Sequence, residues 1–209
     1  MIELTNLYLF IAASILLAFS PGPDNIYVMT QGITKSKMAA FVTTLGLSTG
    51  VVIHTSAAAF GISAIFNTSE MAFNVLKFAG AFYLMYMAYK AFKHRNDELT
   101  FGQKHSSKDL KSLYTKGFIM NTLNPKVSIF FLAFLPQFVT VSNGNVPMQM
   151  ITLGVVFMVV TVVVFTAMGI IANKFGEKIV ANTAISRYLN TITAGVFLTL
   201  GLKLALSQR

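Results

Sequence analysis

Two stretches of this chain combine charge, irregular backbone and apolar surroundings. They are Ser20-Pro21-Gly22-Pro23-Asp24-Asn25 and Asn121-Thr122-Leu123-Asn124-Pro125-Lys126. Proline removes a backbone donor and clashes with the preceding turn, so neither stretch can run on as α-helix. Inside a bilayer, the backbone groups this frees are tolerated only where protein or a wet cavity satisfies them. Asp24 offers a negative charge to an ammonium group or a proton, and Lys126 offers a positive charge to a carboxylate. Asn124-Pro125 has the form of an N-cap followed by proline at the first helical position. It predicts a half-helix whose free N–H groups and positive dipole end point into the membrane, as an anion site. Gly22 permits close backbone approach. Charge on a broken helix at membrane depth is the pattern of a transport site. Pro21, Gly22, Pro23, Asp24, Asn25, Asn121, Asn124, Pro125 and Lys126 are therefore the predicted substrate-binding and translocation residues. Together the breaks could hold a zwitterion, its amine toward Asp24 and its carboxylate toward Lys126. The competing reading is a structural pair, in which Asp24 and Lys126 neutralise one another so that neither charge stands alone in lipid.

Other polar residues at depth carry weaker signals. His54 lies mid-span among small residues and fits either a proton relay or a hydrogen-bonded packing histidine. Lys77 lies within two turns of a span end, where snorkelling or pairing with Glu70 competes with a site role. Gln137 and Asn121 are expected to hydrogen-bond across helices. Gly61-x-Ser63 with His54 matches no nucleophile arrangement, so an enzyme is not expected, nor is a metal or cofactor.

The elements that must position these residues follow from composition. Of 209 residues, 55% are hydrophobic and only 11% charged, with mean hydropathy +0.66. A soluble domain carries roughly a quarter charged residues, so this is a membrane protein. Apolar runs predict six transmembrane helices, at about 4–30, 38–66, 71–92, 117–141, 148–172 and 184–206. The first lacks a basic leader and a small-residue cleavage site, and is read as a retained span. The second is rich in Gly, Ala, Ser and Thr, which lets helices approach closely and puts it at the bundle centre. The 67–70 and 142–147 stretches read as turns. The absence of Cys excludes disulfide and thiol chemistry. The net charge of +9 does not indicate nucleic-acid binding, because the cations fall in loops beside spans. Twelve of the 16 Lys and Arg residues lie in or beside the odd-numbered loops. The positive-inside rule therefore puts loop 93–116 in the cytoplasm and both termini in the periplasm.

Spans 1 and 4 are the two Pro-broken ones, and spans 3 and 6 carry Ala79-Gly80-Ala81-Phe82 and Ala194-Gly195-Val196-Phe197. The chain thus reads as one transmembrane domain over 1–209, all-α, with repeat 1 at about 1–92 and repeat 2 at about 117–209. Three crossings reverse the starting side, so the repeats must be inverted, with the site between them. Pro23 lies 12 residues before Lys35 and Pro125 nine after Lys116, giving both breaks a similar depth.

The whole chain resembles the lysine exporter (LysE) family, in its homoserine/threonine-resistance (RhtB) branch. The resemblance rests on several runs: Ser20-Pro21-Gly22-Pro23-Asp24; Gly46-x-x-x-Gly50-x-x-x-His54 then Gly61; Lys77-x-x-Gly80-Ala81-x-Tyr83-Leu84; and Gly117-x-x-x-Asn121-x-x-Asn124-Pro125-Lys126 then Phe134-Leu135-Pro136-Gln137-Phe138. Arg187-x-Leu189, Gly195 and Gly201 extend it through the last span. Thr34-Lys35-Ser36-Lys37 departs from the Gly-Arg-rich turn frequent in relatives. The resemblance implies a translocator or antiporter of the bacterial inner membrane that exports amino acids or close derivatives of the homoserine, threonine or lysine type. The driving force it implies is the proton gradient or the membrane potential. The expected partners are an amino acid, H+ and lipid, and a homo-oligomer is compatible with the sequence. The alternatives are an exporter of another small solute in the same fold, such as a homoserine lactone or a cation, and a non-transporting membrane subunit.

Overall fold

The computed structural model describes residues 2–62, 70–96, 109–180 and 183–206, and these are helical almost throughout, with no strand among them. In chain order the helices are α1 (Leu4–Phe19), α2 (Pro23–Thr34), α3 (Lys37–Ser56), α4 (Glu70–Lys93), α5 (Leu110–Thr122), α6 (Pro125–Ile129), α7 (Val146–Val180) and α8 (Thr183–Leu206). A π-helical turn, Ala57–Ile62, prolongs α3. Another, Phe130–Phe134, and a 3-10 turn, Leu135–Phe138, prolong α6.

Both proline motifs break their helices as expected. The α1–α2 pair bends by 59° and the α5–α6 pair by 48°. By length and composition two helical stretches, Lys37–Gly61 and Val146–Gly176, could cross a membrane, and counting each bent pair as one span raises the total to four. The last helix contributes a shorter apolar stretch, Asn190–Leu206.

Two boundaries differ from the sequence reading. The fourth segment starts at Leu110, where Asp109 caps the helix by accepting from the Lys111 amide at 3.0 Å, so Lys111 and Lys116 are helical. The fifth runs on to Val180 and reaches 35 residues. Lys174, Glu177 and Lys178 are good helix formers, and no proline stops the chain there. Asn173 fastens this extension by donating to the Gly32 carbonyl at 2.7 Å. The turn before α7 is as expected, with Gly144 and Asn145 at positive φ of 75° and 25°. The turn expected at 67–70 falls, but for Glu70, outside the described residues, as does the 97–108 part of loop 93–116.

The small residues of α3 have the expected packing use. At Gly46 a Cβ would collide with the Tyr114 carbonyl oxygen, and at Gly117 it would sit 2.6 Å from that of Thr43. The α3–α5 crossing therefore brings backbone against backbone. Packed beside it, Phe10, Phe130, Phe131, Phe134 and Phe138 are fully buried. Their rings meet at centroid distances such as 5.1 Å for Phe130–Phe134 and 5.2 Å for Phe10–Phe138. This aromatic plug fills the half of the bundle between the two breaks and the N-terminal end of α1. On the opposite side, Val28, Ala40, Leu47, Val164 and Phe165 form a smaller cluster. There the Lys116 ammonium lies 4.7 Å from the Tyr27 ring centre. Burial and the charge of Lys116 hold the Lys35 ammonium below its usual pKa.

Candidate functional site

Each break leaves a carbonyl oxygen without its helical donor, and the position follows from the i→i−4 rule. Pro21 cannot donate to Leu17 O, and Pro125 cannot donate to Asn121 O. Both carbonyls are closed by side chains from elsewhere in the bundle. The Lys126 ammonium donates to Leu17 O at 3.2 Å and to Ser20 O at 2.8 Å. His54 Nε2 lies 2.9 Å from Asn121 O. A carbonyl only accepts, so Nε2 carries the hydrogen and donates.

Asn25 finishes the first break. Its Oδ1 accepts from the Gly22 amide at 2.8 Å, and its Nδ2 donates to Ser20 O at 2.7 Å and Ala18 O at 3.2 Å. Gly22 is needed for space, since a Cβ there would lie 3.1 Å from Lys126 Nζ. In the second break, Asn124 Oδ1 accepts from the Lys126 amide at 3.0 Å. The Asn124 carbonyl accepts from the Val127 and Ser128 amides, at 3.1 and 3.0 Å. The amides at the start of α6 are already taken, and Lys126 presents its ammonium to α1 instead.

No direct ion pair joins Asp24 to Lys126 among the described residues, although the rival reading expected one. Asp24 Oδ2 accepts from Asn121 Nδ2 at 2.8 Å, while Lys126 bonds only to carbonyls. Asp24, Asn25, Asn121, Asn124 and Lys126 are all buried. Pro23 and Pro125 are exposed and Pro21 and Gly22 half-buried, so the prolines shape the breaks from outside. The two breaks nonetheless meet, through Lys126 and Asn121.

Between them lies a cavity of about 20 Å³ whose lining includes Asp24, Asn121, Lys126, Phe157, Thr161 and Phe165. That is room for a water molecule, and far too little for an amino acid. Its polar groups are incompletely used. Among the described residues, Asp24 Oδ1 and Asn121 Oδ1 are buried without a hydrogen-bond partner. The Lys126 ammonium has three protons and uses two. Two idle acceptors thus face one idle charged donor across a small apolar-walled space.

The three weaker candidates separate. His54 joins the network through Asn121 without lining the cavity. Gln137 lies in the aromatic half, its Nε2 donating to Ala133 O at 3.4 Å and its Oε1 buried without a partner. Lys77 lies on α4, 4.6 Å from the ring centre of Phe78, and is not in the cavity lining. The α7 wall of Phe157, Thr161 and Phe165 was missed in the sequence. Their i, i+4, i+8 spacing was the available signal, masked by a helix that is apolar on every side.

Comparison with known proteins adds to this geometry. Residues 15–208 match the family described as LysE type translocator. A homoserine/homoserine lactone efflux protein of Salmonella typhimurium is 30% identical over 200 residues, covering 95% of each chain. An uncharacterized membrane protein of Bacillus subtilis is 27% identical over 97% of this chain and 99% of its own. One of Vibrio cholerae is 23% identical over 95% of this chain and 96% of its own. No solved structure matches.

Proposed function

From a chain that belongs to the LysE type translocator family, and is therefore a membrane efflux transporter and not an enzyme, we propose export of small amino acids of the homoserine and threonine type. The carrying observation is the set of idle groups around the cavity. Asp24 Oδ1 and Asn121 Oδ1 accept from the substrate ammonium, and the third Lys126 proton meets its carboxylate. Both ends of a zwitterion are then paired out of water, as burial of charge requires. What supports the substrate class is the homoserine/homoserine lactone efflux protein among the relatives.

The membrane is the bacterial inner membrane, with loop 93–116 cytoplasmic and both termini periplasmic, because the cations gather in the odd loops. The aromatic plug then lies on the periplasmic side of the cavity, and substrate enters from the side of the smaller cluster. The six-span arrangement of two inverted repeats is part of this reading. It is supported by the packing of α3 on α7 and of α4 on α8, the self-matching pairs that a two-fold relation between the halves requires. Proton coupling is part of the same reading, with the substrate amine and a proton exchanging at Asp24.

A second reading, export of a homoserine lactone, has one observation in its favour: Lys126 is already satisfied twice by carbonyls and can do without a carboxylate. Flux from proteoliposomes tests both. Asp24→Asn should abolish export of amino acid and lactone alike. Lys126→Gln should abolish amino-acid export and spare the lactone. The double variant should stay inactive toward amino acids, whereas normal amino-acid export by a well-expressed double variant would reject the site.

A further inference from the structure

Most threonines inside these helices bond back to their own helix; Thr161 does not, and unlike Thr122 and Thr166, whose hydroxyls are also unpartnered, it lines the cavity. Thr30, Thr43, Thr44, Thr55 and Thr152 each turn the hydroxyl back to the carbonyl four residues earlier, at 2.8–2.9 Å, as in Thr30 to Ile26 O at 2.8 Å and Thr152 to Met148 O at 2.9 Å. Such back-bonding is the default that spares a hydroxyl in an apolar helix an unpaired state. Thr161 is only 2% exposed, yet among the described residues its hydroxyl has no hydrogen-bond partner. It lines the cavity that holds Asp24, Asn121 and Lys126. Phe157 and Phe165 stand one turn to either side of it, both buried and both on the cavity wall.

We propose that Thr161 is the side-chain selector of the transport site, its hydroxyl pairing with a hydroxyl on a short substrate side chain while Phe157 and Phe165 limit that side chain's length. The assignment rests on the amino-acid reading above. The three groups opposite Thr161 already account for the ammonium and carboxylate common to every amino acid. A fourth polar group on the facing helix is left for what differs between them. Leaving a buried hydroxyl unpaired carries a penalty, and a hydroxyl-bearing substrate removes it where an apolar isostere does not. The class is thus a compact hydroxy-amino acid, with a hydroxyl on the β or γ carbon, and bulky aliphatic or aromatic amino acids are excluded by the two rings.

The test uses isosteric pairs, homoserine against norvaline and threonine against valine, in proteoliposomes of the full chain. The wild type should transport the hydroxylated member about tenfold better. Thr161→Val, close in volume and at home in a membrane helix, should bring the ratio to near one, chiefly by losing homoserine and threonine. Thr161→Ser should keep the preference, and Phe165→Ala should admit leucine. A wild type that treats each pair alike overturns the assignment. So does a Thr161→Val protein that loses all four substrates in equal proportion or none, and so does a Thr161→Ser protein with no preference. If the wild type carries no amino acid at all, the function on which the assignment rests falls with it.

Discussion

His54 offers a sharp separation of two roles. In the structure it closes the carbonyl that Pro125 leaves open, and Asn121 O also accepts from the Asn124 amide at 2.9 Å. Removing the imidazole therefore deletes one of two bonds and strands nothing completely. One neutral hydrogen bond contributes about 1 kcal/mol in water-soluble proteins, and cross-helix bonds in membranes average about 0.6 kcal/mol. His54→Leu should thus cost about 1 kcal/mol of stability, read from thermal unfolding of purified protein in detergent. The larger effect should be on transport. Asn121 holds Asp24 Oδ2 with the same residue whose carbonyl His54 holds, so loosening the carbonyl loosens the carboxylate. His54→Gln keeps an N–H donor and removes the titratable ring. A bracing role predicts that Gln retains most of the stability and most of the export, with an unchanged pH dependence. Abolished or pH-insensitive export by a His54→Gln protein of normal stability would refute it, and would make His54 a proton carrier.

Three further outcomes follow from the same geometry. Gly22→Ala places a Cβ 3.1 Å from Lys126 Nζ, and should cut export several-fold by displacing the ammonium from Leu17 O and Ser20 O; flux measurement with unchanged expression checks this. Gly46→Ala drives a Cβ into the Tyr114 carbonyl and should destabilise the α3–α5 crossing by about 1–3 kcal/mol, read as a lowered unfolding temperature in detergent. In this Cys-free chain, a Cys at Ser142 should label with an impermeant reagent on intact cells and a Cys at Ser106 should not; the reverse pattern would invert the proposed topology.

The breaks were legible in the sequence because proline and charge are local signals. Pro21, Pro23 and Pro125 state where a helix must stop, and Asp24 and Lys126 stand out against an apolar chain. The partner of each charge was not legible. Opposite charges suggest a pair, whereas the structure gives Lys126 to carbonyls and Asp24 to an amide. Part of that was recoverable, since Pro21 names Leu17 as the carbonyl in need. Finding Lys126 as its donor requires the contact between two segments about a hundred residues apart, which no local pattern encodes. The α7 wall was hidden for another reason. A threonine among valines in an apolar helix looks like one more back-bonded hydroxyl, and only the coordinates separate Thr161 from Thr152. The π turn at Ala57–Ile62 likewise begins with three alanines that would suit an ordinary α-helix.

The caps at the two breaks cross over. The orphan carbonyl in α1, from the first half of the chain, is closed by Lys126 from the second. The orphan carbonyl in α5, from the second half, is closed by His54 from the first. Each half is therefore the solvent of the other's defect. Were the halves to slide apart, Leu17 O would be bared and Asn121 O would keep only the Asn124 amide, in a medium that offers no replacement donor. In the proposed transport cycle, rocking about a line through the breaks would keep both contacts, and the caps would act as a hinge pin. Motion opening the aromatic plug on one side would then close the smaller cluster on the other. The defect proposed to make room for a binding site would thus also set the axis about which access to it alternates.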